Sequence, residues 1–134
     1  MADADVTSSL AAVMRDIADA ARRAGRDPQS VKLIAVRKTV PEQAVEEAIG
    51  LGQRRFGENR VQEAKAKWPA LKERHPDLEL HLVGPLQSNK VRDAIELFDV
   101  IESVDRPKIA AALADEMKRT GKAPRLLVQV NTGE

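Results

Sequence analysis

The feature that most constrains this chain is a recurring unit. Apolar segments open near residues 32, 54, 79, 99 and 125, and an amphipathic stretch fills each gap between them. That period is the length of one strand plus one crossover helix, so it predicts parallel βα units with right-handed crossovers. "SVKLIAVRK", "RRFGEN", "LELHLVG", "DVIESV" and "RLLVQVN" read as the strands. The first is a continuous apolar run, which suits a sheet covered on both faces. Between the strands, Val45, Ala48 and Ile49 form one apolar helix face, and Val61, Ala64, Trp68 and Leu71 a second. "SNKVRDAIELF" is the third crossover helix, and Ile109, Leu113 and Met117 mark the fourth. A leading helix over residues 7–24 stops at Gly25. Gly52 and Gly121 stop two later ones, and Pro69 is expected to kink the helix that contains it.

Two architectures accommodate this order. A doubly wound five-stranded sheet suits the length, but it normally carries a helix after its last strand. An eight-stranded barrel of the TIM type needs more than about 200 residues, so in that reading residues 1–134 form one partial (β/α) barrel domain, an amino-terminal fragment with a leading helix and about five strands. No low-complexity linker divides the chain.

Composition narrows the function classes. Lysine and arginine number 22 against 21 aspartates and glutamates, so no global field recruits nucleic acid or an anionic membrane. Any anionic ligand has to be held locally. Cysteine is absent, which excludes disulfides and thiolate metal sites, and two histidines are too few for a zinc centre, so no metal is expected. The first 25 residues carry acids early and lack a long apolar core. They read as neither signal peptide nor membrane span, and the expected setting is cytoplasmic.

In either fold, ligands gather past the carboxyl ends of the strands. The polar groups there are Arg37 and Lys38, Glu58 and Asn59, the "GPLQSNK" turn, Ser103 and Asp105, and Asn131 and Thr132. Lys38 has the parity of Ile34 and Val36, so it faces the interior if they do. It also precedes a capping box, Thr39 to Glu42 with Pro41 in the first turn, at the positive end of a helix. Burial and that potential both favour the neutral amine, which can attack an aldehyde. The alternative is a lysine that snorkels to solvent beside Arg37. Asn59 reads as a helix N-cap, compatible with a ligand contact. His81 points inward with Glu79 and Val83, either as a site residue or as a hydrogen-bonded core histidine. Ser88, read as the cap of the next helix, could help bind an anion, although the turn is no Walker loop.

The motifs "LIAVRKT", "RRFGENRVQEAKAK", "HLVGPLQSNK", "FDVIESVDRPKIAAAL" and "LLVQVNTGE" occur in the order and spacing of the pyridoxal 5′-phosphate (PLP) homeostasis proteins, relatives of the alanine racemase amino-terminal barrel. The chain resembles that family from about Leu10 to Glu134. The resemblance implies PLP as cofactor, held as a Schiff base on Lys38, with Asn59 near its ring and His81 in a supporting role. It implies a binding and delivery module whose partners are PLP and transient PLP-dependent recipient enzymes. Arg37 stands where the family has a small serine, and Arg60 where an aromatic residue is common. Family members are longer, and their phosphate-gripping loop lies in the carboxyl half, so the expectation is either self-association that covers the open strand edges or a longer parent protein of which this chain is a part. Two alternatives remain: a racemase-like or decarboxylase-like PLP enzyme, and a cofactor-free structural half-barrel.

Overall fold

Five strands lie side by side in the order of the chain: β1 (Ala35–Val36), β2 (Arg55–Glu58), β3 (Glu79–Leu82), β4 (Val100–Val104) and β5 (Arg125–Val128). The structure, a computed structural model, describes residues 2–36 and 41–133, with side chains from residue 8 onward. Every strand pairing is parallel. A doubly wound sheet reverses its strand order at a switch point, whereas the unbroken order β1 to β5 winds in one direction. The sheet is therefore an arc of a TIM-type (β/α) barrel, which decides between the two architectures open in the sequence.

Five helices accompany the strands: α1 (Ala2–Arg23), α2 (Glu42–Gly50), α3 (Val61–Arg74), α4 (Val91–Leu97) and α5 (Pro107–Thr120). The core lies between helices α2 to α5 and the outer face of the sheet, because strand parity sends Phe56, Leu80, Leu82 and Ile101 to that side. There they meet Trp68, Leu71, Ile109 and Leu113, all but closed to solvent. Phe56 and Trp68 pack with ring centroids 5.4 Å apart in a tilted arrangement. At the end of α5, Gly121 adopts φ 75°, a left-handed conformation that a side chain would strain, and its N–H donates to the Met117 carbonyl. No helix among the described residues is long and apolar enough to cross a membrane.

The local structure departs from the sequence pattern in two places. Among the described residues β1 is a ladder at Ala35 and Val36, so the first five residues of the expected nine-residue strand lie outside it, and Val36 is 46% exposed. Its amino-terminal side is held instead by Gln53, whose Nε2 donates to the Leu33 carbonyl at 2.7 Å and so takes the place of a strand partner. α3 runs as one element from Val61 to Arg74 with Pro69 inside it. Pro41 sits at the N-cap position of α2, extended at φ −60° and ψ 150°, just outside the first turn. Proline has no N–H to lose at a helix entry, so either position suits it. Thr39, the other half of the expected capping box, lies outside the described residues, as do Arg37, Lys38 and Val40.

Candidate functional site

The inner face of the arc begins with an apolar floor. Gly57 in β2 faces inward, and a Cβ built on it would meet Ile34 Cγ2 and Val36 Cγ2 at 3.2 Å and Val83 Cγ1 at 3.3 Å. Ile34 and Val36 thus share the interior face, the condition on which the parity reading of Lys38 rested. Lys38 itself falls outside the described residues; it follows Val36 by two positions, and Val36 is in register with Gly57.

At the carboxyl end of β2 the chain forms a shelf. A Cβ on Gly84 would lie 2.1 Å from the Asn59 carbonyl oxygen and 2.8 Å from its carbonyl carbon, so the exits of β2 and β3 touch backbone to backbone. Only glycine allows that approach. The contact also explains why Asn59 is not the N-cap of α3. That position belongs to Arg60, without a side-chain cap, and the half-buried Asn59 carboxamide makes no hydrogen bond among the described residues. It is left available to a ligand.

Next to the floor runs a row of hydrogen-bonded ionisable side chains. His81, whose side chain is 7% exposed, is in register with Gly57 and holds Glu79 Oε1 at 2.8 Å through Nε2 and Glu102 Oε2 at 2.5 Å through Nδ1. Arg125 reaches the same Glu79 oxygen at 2.5 Å, and Arg55 approaches the other at 3.7 Å. Four neighbouring strands are tied together on the inner face by these groups, where barrels usually place branched apolar residues. Glu102 went unnoticed in the sequence. Its signal is a lone carboxylate inside "VIESV", between Ile101 and Ser103, where β4 shifts register against β5.

Other strand-end groups do not converge. Glu58 turns to the outer face, where its Oε2 accepts from Trp68 Nε1 at 2.5 Å. Ser88 is the exposed first residue of a 3₁₀ turn, Ser88–Lys90, with Gln87 at its N-cap; α4 starts at Val91, so Ser88 does not cap that helix or build an anion site on it. Asp105 pairs with Arg106 at 2.7 Å, Asn131 accepts from the Gly133 amide, and the buried Ser103 hydroxyl has no hydrogen-bond partner among the described residues. Among the described residues, no cluster of three or more His, Cys, Asp or Glu side chains could hold a metal ion.

This arrangement, an open parallel arc with its polar shelf at the strand ends, can be placed by comparison. Residues 8–134 match the family described as alanine racemase, N-terminal domain. The chain belongs to that family. Within the alanine racemase N-terminal domain family, its relatives are the PLP homeostasis proteins anticipated from the motifs. It is 43% identical over 131 residues to the pyridoxal phosphate homeostasis protein of Escherichia coli K12, covering 97% of this chain and 56% of that one. With the protein of the same name from Vibrio alginolyticus it shares 46% over 113 residues, 83% of this chain and 48% of the relative. Among solved structures, PipY of Synechococcus elongatus with PLP bound is 48% identical with a TM-score of 0.75, over 87% of this chain and 55% of that one. An unknown protein from Bifidobacterium adolescentis aligns at a TM-score of 0.91 with 34% identity, over 98% of this chain and 57% of its own. The chain spans about half the length of the curated relatives it matches.

Proposed function

We propose that this chain supplies the amino-terminal part of a PLP site in an intracellular PLP homeostasis protein, binding the cofactor and handing it on without turning over a substrate. The observation that carries the reading is the likeness to PipY, a structure with PLP bound, at 48% identity over 87% of the chain. The residues present suit such a group. When bound, PLP supplies an aldehyde that a neutral amine can capture, and Lys38 is the amine in this reading. Ile34, Val36 and Val83 give the ring an apolar surface around Gly57. The Asn59 carboxamide, held on its shelf by Gly84, orients the ring's polar edge. His81 fixes the neighbouring wall through Glu79 and Glu102.

A racemase-like or decarboxylase-like site needs a second acid or base facing the lysine, and the chain has neither a tyrosine nor a cysteine to provide one. The cytoplasm, where PLP-dependent recipient enzymes would collect the cofactor, is the setting that belongs with this reading.

The test is capture. The chain is mixed with PLP, reduced with borohydride and analysed by intact mass and peptide mapping, beside Lys38→Ala. A single adduct on Lys38, lost in the variant, is the expected result. Adducts scattered over many lysines, or equal labelling of the variant, would overturn it.

A further inference from the structure

Beside the Asn59 shelf, the exits of β2 and β3 enclose a groove of 510 Å³ between the start of α3 and the turn that precedes α4. Five polar side chains line it: Asn59, Arg60, Gln62, Gln87 and Lys90. None is acidic. Several cations nearby, by comparison, have an acid within reach. On α3 itself Lys65 pairs with Asp93 and Arg74 with Glu42 and Glu46, and elsewhere Arg54 pairs with Asp77 and Lys72 with Asp99. Arg60, by contrast, has no acidic partner among the described residues, and Lys90 Nζ donates only to the neutral Gln62 carboxamide oxygen at 3.1 Å. Glu63, the acid in the first turn of α3, is not part of the lining.

The walls are fixed before any ligand arrives. One wall is the Asn59 backbone pressed against Gly84. The other is the Pro85–Gln87 turn, anchored by the fully buried Leu86 side chain and by Arg106, whose guanidinium donates to the Leu86 carbonyl at 2.7 Å. Two unmatched cations in a cleft with low-dielectric walls concentrate positive potential. Guanidinium, ammonium and carboxamide N–H groups are the donors an oxyanion takes. The volume is that of a small-molecule site.

The structure assigns this groove to a small ligand bearing an oxyanion, a phosphate monoester or a carboxylate. The assignment goes beyond cofactor capture on Lys38 and stands without it. Inorganic phosphate and succinate serve as probes, each titrated into the ¹⁵N-labelled chain at constant ionic strength with chloride as the balancing ion. Saturable shifts at Arg60, Gln62, Gln87 and Lys90 are expected, with affinity falling about tenfold or more in Arg60→Gln and Lys90→Gln. Arg92→Gln, which removes a cation elsewhere, is expected to leave it within about twofold. Saturation by phosphate alone identifies a phosphate ligand, by succinate alone a carboxylate ligand, and by both a shared oxyanion site. Shifts no greater than those in chloride, or equal losses in Arg92→Gln and Arg60→Gln, would overturn the assignment. Because PLP is absent throughout, failure here is distinct from failure of the Lys38 reading.

Discussion

Among the glycines, Gly84 has the least room for a side chain. A methyl group there would overlap the Asn59 carbonyl at 2.1 Å, a backbone atom that cannot swing aside as a side chain would. Gly84→Ala is therefore expected to force the two strand exits apart, at a cost of about 1–3 kcal/mol, measured as a lower urea midpoint, and to reduce PLP capture more than the loss of stability accounts for. An unchanged midpoint together with unchanged capture would remove Gly84 from its role. A second residue-scale test concerns Trp68. Trp68→Phe deletes one donor to the buried Glu58 carboxylate and leaves a void beside Phe56, so a loss of about 2–4 kcal/mol is expected by equilibrium unfolding; a loss under about 0.5 kcal/mol would mean that the indole adds little to the packing of this core. At this scale parity was the most legible signal. It placed His81 with Glu79, and Ile34 with Val36, on the inner face. Asn59 was misread as a cap because its conformation is set by Gly84, 25 residues further on, and local sequence carries no trace of that contact. Glu102 was passed over because the register shift that accompanies it is a property of strand pairing.

Among the elements, α2 and α3 are joined by a charged clamp. Arg74 Nη2 reaches Glu42 at 3.4 Å and Glu46 at 3.0 Å, and His75 Nε2 lies 2.7 Å from the other Glu46 oxygen. The hydrogen bond with His75, followed by that with Arg74, holds the Glu46 carboxyl below the usual glutamate range. A carboxylate whose folded pKa is depressed adds stability above its unfolded pKa, about 4.3, and loses that contribution as pH falls through the folded value. The wild-type chain should therefore lose more stability between about pH 5 and pH 3 than Glu46→Gln does, the two converging in acid. At neutral pH the partly exposed clamp is worth about 0.2–1 kcal/mol, read as a small drop in Tm for the variant. Parallel stability-against-pH curves would exclude the coupling. The helices were legible from their periodicity, and α5 matched its expected bounds because proline at its start and glycine after its end act locally. β1 was overread. An apolar run reports burial potential, whereas ladder length depends on a neighbour, and Gln53 takes over the Leu33 carbonyl.

For the molecule as a whole, the least settled surface is β5. Leu126 and Val128 are in register with Ile101 and Val104 of β4, on the face that helices cover elsewhere in the sheet, yet Val128 is 76% exposed and Leu127, on the other face, 51%. Val130, just beyond the strand, is 72% exposed. One edge of β5 pairs with β4, and the described chain offers no strand to the other. An exposed aliphatic strand with free N–H and C=O groups is a template for pairing, and no lysine or proline within Arg125–Val128 blunts it. For residues 1–134 on their own the expected consequence is concentration-dependent self-association, with a second copy covering β5; in a longer parent protein a following segment would cover the same edge. In sedimentation velocity the wild-type chain should gain mass as its concentration rises, and Val128→Lys should move that onset to higher concentration by placing a charge where the partner would pack. The charge leaves the folded core intact, since Val128 lies outside the buried cluster, so the circular dichroism and Tm of the variant should match the wild type. A wild-type chain that stays monomeric throughout, or a variant that associates equally, would locate the contact elsewhere. The sequence pattern marked this edge in advance, since "RLLVQVN" has the composition of a buried strand. What covers it could not be read there, because the alternation of a strand specifies its two faces and leaves its edges unspecified.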